Sequence, residues 1–265
     1  MTGTILDKII DAKRPRLEAL KRETGLSEMI QLAEDVRRGV TPNRLRTALS
    51  QAGEPKIIAE FKRASPSKGI INNSLDPVKT ALSYQAGGAA AISVLTEEDF
   101  FKGSLNELKK IRKAVELPIL RKDFIVDAYQ IYESAVAGAD AVLLIASTLT
   151  SESLENFQRL AASLGLDAIV EVHNRDELRK ASDIGAGIIG VNNRNLKTFE
   201  VSLDVSRELI KHSPKGSIMI AESGISSAQE IAELHSLGYD AFLVGEGLMR
   251  SGDPAAALRR LNDKG

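Results

Sequence analysis

The sequence lacks cysteine and tryptophan, and only 4% of its 265 residues are aromatic. Without cysteine, disulfides and thiolate metal sites are excluded. So few aromatic side chains argue against a surface that stacks nucleic-acid bases. Lysine and arginine number 35 against 36 acidic residues, a net charge of -1, which indicates no general attraction to nucleic acids or membranes. Any anion-binding site must therefore be local.

Long apolar runs are also absent. No stretch approaches the ~18 apolar residues of a membrane span, and the charged N-terminus has no continuous apolar core like that of a signal peptide. We therefore expect a cytoplasmic protein with no membrane or nucleic-acid partner. The near-neutral charge and the lack of an obvious apolar patch predict a monomer. The three histidines form no metal-ligand pattern, although His173 ends a strand and is placed to line a site.

The spacing of apolar residues over 1–50 predicts a helical extension with no strand. Apolar residues recur at helical spacing near its start, although Pro15 interrupts the pattern. A third helix is expected to start with Thr41 as N-cap and Pro42 at the first helical position. A second helix over 27–38 carries an apolar stripe of Met29, Leu32, Ala33 and Val36.

From residue 56 short apolar runs alternate with amphipathic stretches, which predicts strands buried on both faces. Eight consecutive βα units predict a TIM barrel, a closed (βα)₈ barrel over 51–265, and the length suits such a barrel of about 250 residues. The alternative is a doubly wound open sheet, but no Gly-x-Gly-x-x-Gly follows the first strand. The predicted strands are 56–62, 90–96, 118–124, 141–147, 167–173, 187–193, 217–223 and 241–247.

Polar side chains cluster at the carboxyl ends of these strands, the end that forms the active-site mouth of a barrel. Alternation along each strand places one set of them on a single face, which we expect to point inward. Lysines facing carboxylates have their pKa values pushed apart, as general acid–base chemistry near neutral pH requires. The alternative is a salt-bridge lattice that only closes the barrel top. The converging residues are Glu60, Lys62, Lys122, Glu171, Asn192 and Glu222.

Two glycine turns predict a phosphate site. Ser223-Gly224 follows the seventh strand and Gly245-Glu246 follows the eighth, where backbone N–H groups bind anions in barrels of this kind. The alternative is that glycine merely permits tight turns. The loop 62–69 after the first strand adds a basic, hydroxyl-rich segment that includes Ser65.

Several segments resemble indole-3-glycerol phosphate synthase, and the resemblance spans the whole barrel and the helical extension. The segments are IIAEFKRASPSKG (57–69), LPILRKDFIVDAYQI (117–131), GVNNRNLKTFEV (190–201), IAESGIS (220–226) and AFLVGEGLMR (241–250). The resemblance implies a carboxy-lyase of tryptophan biosynthesis that uses neither a metal nor an organic cofactor. Its substrate would be 1-(2-carboxyphenylamino)-1-deoxyribulose 5-phosphate, which undergoes ring closure, decarboxylation and dehydration to indole-3-glycerol phosphate.

The resemblance also implies roles for the converging residues. Lys122 would be the general acid of ring closure and Glu171 the general base of dehydration. Lys62 would hold the departing carboxylate or share the acid role, and Glu60, Asn192 and Glu222 would orient the substrate and the lysines. Gly247 departs from the family, in which serine is frequent at this position. The expected substrate- and phosphate-binding residues are Ser65, Phe124, Leu143, Arg194, Ser223, Gly224, Gly245 and Glu246, of which Glu246 would contribute only its backbone N–H.

Two other functions fit the same residues. A different enzyme on this scaffold, such as a sugar-phosphate isomerase, has the same fold-level signature. A non-catalytic barrel that binds a phosphorylated metabolite is the third possibility, but binding alone does not require two lysines beside three carboxylates. Phe124 and Leu143 have an equally simple alternative as ordinary core residues.

Overall fold

The computed structural model describes residues 4–51 and 53–262, and eight parallel strands close into a barrel within them. Each strand pairs with the next, and β8 pairs with β1 through registers such as Ile57 with Phe242. The predicted TIM barrel is confirmed, and the open sheet is wrong. The strands are β1 (Lys56–Phe61), β2 (Ala91–Leu95), β3 (Ile119–Lys122), β4 (Ala141–Ile145), β5 (Asp167–Val172), β6 (Ile188–Asn192), β7 (Ile218–Glu222) and β8 (Ala241–Val244).

Both faces of the barrel strands are apolar and buried. Ile58, Leu120 and Ile169 belong to the inner core of the barrel. Their neighbours in sequence, such as Ile57 and Val170, lie in the layer beneath the surrounding helices. This explains why the strands appear in the sequence as continuous apolar runs.

Helices follow the strands and cover the barrel. Several start at a local cap, as at Asp127, whose side chain and Gln130 form a capping box. Within the described ranges, no helix combines the length and the apolar character needed to cross a membrane. The helices that follow β1 are α4 (Pro77–Ala86), α5 (Leu105–Arg112), α6 (Ala128–Ala137), α7 (Ser151–Ser163), α8 (Arg175–Asp183), α9 (Asp204–Leu209), α10 (Ala228–Leu237), α11 (Glu246–Arg250) and α12 (Pro254–Asn262). If the five-residue α11 is left aside, one helix follows each strand, as the predicted alternation requires. The carboxyl ends of the strands lie at one end of the barrel.

The N-terminal extension contains three helices, α1 (Ile5–Glu23), α2 (Leu26–Arg37) and α3 (Arg44–Leu49), which precede the first strand. Pro15 lies inside α1 and does not end it, contrary to the interruption expected from the sequence. Pro15 and Asp11 are both exposed, so the carbonyl that loses its amide partner lies on the solvent side of the helix.

The other two helices of the extension depart from the prediction in part. In α2, Leu32 is 40% and Val36 is 46% exposed, so only half of the predicted apolar stripe is buried. The third helix starts at Arg44, after Asn43, and not at Thr41-Pro42. A distant residue caps it: the backbone N–H of Arg46 donates to Asp167 Oδ2 at 2.9 Å. The cap comes from β5, so local sequence carries no signal for it.

The extension contacts both ends of the barrel. Leu45 and Leu49 of α3 pack against the inner apolar residues at the amino ends of the strands. At the opposite end, Ile5, Leu6 and Ile9 of α1 line the cavity at the barrel mouth.

Candidate active site

A cavity of about 1320 Å³ lies at the carboxyl ends of the barrel strands. The structure brings all the sequence-predicted site residues to its walls. They are Glu60, Lys62, Ser65, Lys122, Phe124, Leu143, Glu171, Asn192, Arg194, Glu222, Ser223, Gly224, Gly245 and Glu246. Their individual roles stay predictions, because a position on the wall does not define a role.

Lys122 is the centre of the charged cluster. It is the last residue of β3, and its Nζ lies 2.7 Å from Glu171 Oε2 and 2.5 Å from Glu222 Oε2. The two carboxylates come from β5 and β7, and all three side chains are buried. A buried lysine is tolerated here because two carboxylates compensate its charge.

The pKa values within this cluster diverge. Burial by itself would lower the pKa of Lys122, but Glu171 and Glu222 hold it above its usual range. Burial raises the pKa of Glu171, yet Lys122 and His173 outweigh burial and leave it below its ordinary value. Burial raises the pKa of Glu222 to about 7 against the opposing charge of Lys122. The site thus holds one protonated amine, one ionised carboxylate and one carboxyl that titrates near neutral pH.

The carboxyl of Glu222 has one unpaired oxygen. Glu222 Oε1 is buried and makes no hydrogen bond within the described chain. It occupies the space beside Gly190 on β6, where a Cβ would overlap it. Glycine at this position is therefore a steric requirement of the buried carboxyl.

A second ion pair lies at the end of β1. Lys62 Nζ is 2.5 Å from Glu60 Oε1, and Lys62 is the more exposed of the two. A Cβ at Gly245 would come within 2.5 Å of the same Glu60 oxygen. Asn192, at the end of β6, accepts a hydrogen bond from the backbone N–H of Arg194.

The predicted phosphate side of the cavity has two tight turns. Ser223 and Gly224 follow β7 with φ of 66° and 77°, and a serine in the left-handed region is unusual. Gly245 and Glu246 follow β8 and begin α11. The Glu246 carboxylate pairs with Arg250 at 3.3 Å, so its charge is held by a neighbour on its own helix.

Polar side chains from two loops face each other across this part of the cavity. Arg194 Nη1 lies 3.4 Å from Ser67 Oγ, and Ser67 Oγ lies 3.4 Å from Ser65 Oγ. The loop after β1 folds into a short hairpin in which Ala64–Ser65 pairs with Gly69–Ile70. Hydroxyl and guanidinium donors of this kind suit an anionic group.

The opposite wall is apolar. The ring of Phe124 packs against Phe101 at a centroid distance of 5.9 Å and a tilt of 40°. Leu143 is 3% exposed and belongs to the inner barrel core. Together with Leu6 and Ile9 of α1, these side chains form a surface suited to a flat aromatic group.

Sequence reasoning missed a network beneath this wall. Lys13 of α1 reaches Asp123 with Nζ 2.6 Å from Oδ1, and Arg121 binds the other oxygen of Asp123 at 3.1 Å. Burial raises the pKa of Asp123, but Lys13 and Arg121 outweigh it and lower the pKa to about 2. The network ties the extension to the strand that carries Lys122. Positions 13 and 123 are far apart in sequence, and no spacing pattern connects them.

His173 also has a more specific setting than the sequence indicated. Its Nε2 lies 3.3 Å from Glu171 Oε1, and its Nδ1 lies 3.0 Å from Glu177 Oε2. Its position two residues after Glu171 on the same strand face was the available signal.

A family model described as Indole-3-glycerol phosphate synthase matches residues 6–261. The chain belongs to the indole-3-glycerol phosphate synthase family. It is 47% identical over 262 residues to the indole-3-glycerol phosphate synthase of Carboxydothermus hydrogenoformans, covering 97% of this chain and 98% of that one. It is 46% identical over 257 residues to the enzyme of the same name from Alkaliphilus metalliredigens, covering 97% of each chain. The predicted family membership and synthase activity are confirmed.

Solved structures outside the indole-3-glycerol phosphate synthase family share the barrel. The 3-hexulose-6-phosphate synthase of Salmonella typhimurium aligns with a TM-score of 0.63 and 19% identity over 78% of this chain and 96% of that one. A tryptophan synthase complex from Pyrococcus furiosus aligns with a TM-score of 0.60 and 15% identity, covering 80% and 99%. At these identities the likeness shows the fold alone.

Proposed function

We propose that the charged cluster at the barrel mouth carries out the proton transfers of the synthase reaction on 1-(2-carboxyphenylamino)-1-deoxyribulose 5-phosphate. The observation that carries this proposal is the position of Lys122 Nζ between Glu171 and Glu222. The protonated amine lies between two carboxyl groups, one with a lowered pKa and one with a raised pKa. The pocket therefore contains both an acid and a base.

Ring closure needs a proton on the ketone oxygen as the aromatic carbon attacks the carbonyl carbon. Lys122 donates this proton, because its two carboxylate neighbours keep it charged at neutral pH. Carbon dioxide then leaves from the ring carbon that has formed the new bond, and the bonding electrons return to the ring system. Lys62 binds the carboxylate until it departs, and its exposure exceeds that of Lys122.

Dehydration requires removal of one proton from the new ring and transfer of another proton to the hydroxyl formed in the first step, which then leaves as water. Lys62 shares the acid role and supplies the proton to this hydroxyl. Glu171 accepts the proton, since Lys122 and His173 keep it ionised. Glu60, Asn192 and Glu222 orient the substrate and the two lysines through hydrogen bonds. Glu222 can donate as well as accept near neutral pH, because its pKa is about 7.

The phosphate binds on the side of the cavity formed by the loops after β1, β7 and β8. Backbone N–H groups at Ser223-Gly224 and Gly245-Glu246 contact it, with Ser65 and Arg194 as side-chain donors. The Arg250 pairing of Glu246 supports a role for its backbone only. Phe124 and Leu143 pack against the anthranilate ring.

The activity test uses the purified chain with the carboxyphenylamino-deoxyribulose phosphate in the presence of EDTA. Indole fluorescence should appear together with one carbon dioxide per product. Folded protein that gives no signal would refute the proposal, and a product formed without carbon dioxide would favour an isomerase.

The same proposal describes a monomeric, cytoplasmic enzyme in which residues 1–50 and 51–265 unfold as one unit. The packing of α3 side chains into the inner barrel core supports this unit. Sedimentation should give a mass near 28.6 kDa. Unfolding in urea should show one transition by both far-UV circular dichroism and tyrosine fluorescence.

A further inference from the structure

His173 connects the proposed base to a carboxylate outside the cavity. It follows the last residue of β5, and its ring lies between Glu171 on its own strand and Glu177 in the first turn of α8. Both ring nitrogens face carboxylate oxygens, at 3.3 Å and 3.0 Å. A ring placed between two carboxylates is stabilised in its protonated form.

Glu177 holds His173 at several points. Glu177 Oε2 accepts from the backbone N–H of His173 at 2.8 Å and contacts Nδ1 at 3.0 Å. Glu177 Oε1 accepts from Asn174, the residue that caps α8. Because the helix start fixes Glu177, the imidazole has a defined position against the end of β5.

The opposite nitrogen is less tightly engaged. His173 Nε2 is buried and makes no hydrogen bond within the described residues, and its 3.3 Å contact to Glu171 Oε1 is an ion-pair contact. Glu171 uses its other oxygen, Oε2, to bind Lys122. The base therefore lies between two cations, and its Oε1 stays available to accept from a second proton donor.

The charged groups on the elements next to β5 have partners of their own. Lys180 of α8 donates to the carbonyl of Ala146 at the end of β4, and Arg194 after β6 contacts Ser67. Lys122 from β3 and Glu222 from β7 lie beyond Glu171. The charge on His173 is thus governed by Glu171 and Glu177. Burial by itself lowers the pKa of His173, but these two carboxylates raise it to about 10.

We propose that His173 is a positioning residue of the reaction: held by Glu177, its imidazolium keeps the Glu171 carboxylate ionised and directed at Lys122. This inference rests on the proposed role of Glu171 as base. Without the imidazolium, Lys122 is the remaining cation among the described residues that opposes the effect of burial on Glu171. The base then protonates at higher pH.

The kinetic test uses His173→Gln, which removes the charge of the imidazolium and keeps a side-chain N–H donor. The acidic limb of the kcat/KM profile should move upward by about one pH unit, a tenfold loss on that limb. At about pH 8 the loss should be smaller than at acidic pH. A purely structural role would lower kcat/KM equally at every pH, and that result would overturn the proposal.

A second variant acts on the imidazole from outside the cavity. Glu177→Gln keeps the side-chain shape and should move the acidic limb in the same direction. Asp176→Asn is the matched control, since it makes the same charge change one position away, at an exposed residue whose ion pair in the described part of the chain is with exposed Arg179. Equal profiles for Glu177→Gln and Asp176→Asn would contradict the inference.

The protonation state of His173 can be measured without an activity assay. The chain has three histidines, so ¹⁵N imidazole spectra are assignable with His212→Gln and His235→Gln. His173 should stay protonated above about pH 8, and Glu177→Gln should lower its midpoint towards the ordinary value of about 6.5. A wild-type midpoint near that ordinary value would overturn the inference. Absence of synthase turnover in the unmodified chain would instead refute the proposed function, while a raised midpoint would still support the charge link.

Discussion

Both ends of the barrel bury carboxylates beside cations, but the two ends satisfy them differently. At the amino end, Asp140 Oδ1 pairs with Arg44 at 2.8 Å and Oδ2 pairs with Arg112 at 2.9 Å. The backbone N–H of Ile119 also donates to Oδ2. At the mouth, Glu222 has one oxygen on Lys122 and one with no partner in the described chain.

This difference in hydrogen bonding distinguishes a buried carboxylate that stabilises the fold from one that takes part in chemistry. A carboxylate with every oxygen bonded to fixed partners stabilises the closed barrel. A carboxyl with an unpaired buried oxygen costs free energy, and its proton affinity rises. In barrels of this type the carboxyl ends of the strands carry catalysis and the amino ends carry stability. Four predictions test that division here.

The largest effect is expected at the mouth. Lys122→Ala and Glu171→Gln should each lower kcat/KM at least about a hundredfold, because each removes a proton-transfer group. Lys109→Ala, at an exposed position of α5, makes the same change as Lys122→Ala and should retain full activity. Steady-state kinetics on folded protein decides the matter. If Lys122→Ala kept more than a tenth of the activity, Lys62 would be the principal acid.

The amino end should respond in stability and not in activity. Asp140→Ala removes a carboxylate that joins Arg44, Arg112 and β3, and should lower the free energy of unfolding by about 2–3 kcal/mol. Because the two arginines keep some solvent contact, this loss of stability should be smaller than for a fully buried ion pair. Urea unfolding measures the loss. The kcat/KM of folded protein should change by less than about twofold, because the mouth lies at the other end of the barrel. A large kinetic defect would break the proposed division.

The pH dependence of stability should reveal Glu222. Its pKa of about 7 in the folded chain exceeds the ordinary 4.5, so the folded chain binds the extra proton between these values. Stability therefore falls as the pH rises through that window. Relative to Glu222→Gln, the wild-type free energy of unfolding should drop by ~3 kcal/mol between about pH 4.5 and pH 8. Parallel pH curves for the two proteins would show that Glu222 titrates normally.

The smallest effect is expected at Gly247. A Cβ at this position meets nothing within 4 Å, so Gly247→Ser fits without strain. Its hydroxyl lies in the proposed phosphate region and should lower KM about two- to fivefold, as one added hydrogen bond does. Gly247→Ala is the matched control and should leave KM unchanged. The same KM in both variants would place the phosphate away from this turn.

Much of the fold and the candidate site follows from the sequence pattern. The eight apolar runs and the alternation within them place Glu60, Lys122, Glu171 and Glu222 at one mouth, because side chains two apart share a strand face. The pattern failed where a distant partner decides the outcome. The third helix starts where Asp167 of β5 caps it. Pro15 is a different case, because it stays inside α1 with the carbonyl of Asp11 on the solvent side of the helix. The ion pair of Lys13 and Asp123 joins two elements with no periodic relation.

The sequence by itself determined the barrel, its inward-facing polar residues and its family. Which carboxyl holds a proton was decided only by the tertiary structure. Glu171 and Glu222 are the same residue type near the ends of strands on the same inner face, so no sequence pattern distinguishes them. Lys122 and His173 flank Glu171 and keep it ionised, whereas one oxygen of Glu222 faces the space beside Gly190 with no hydrogen-bond partner among the described residues. Proton affinity depends on burial and on the charges within a few ångströms, which the folded chain alone brings together.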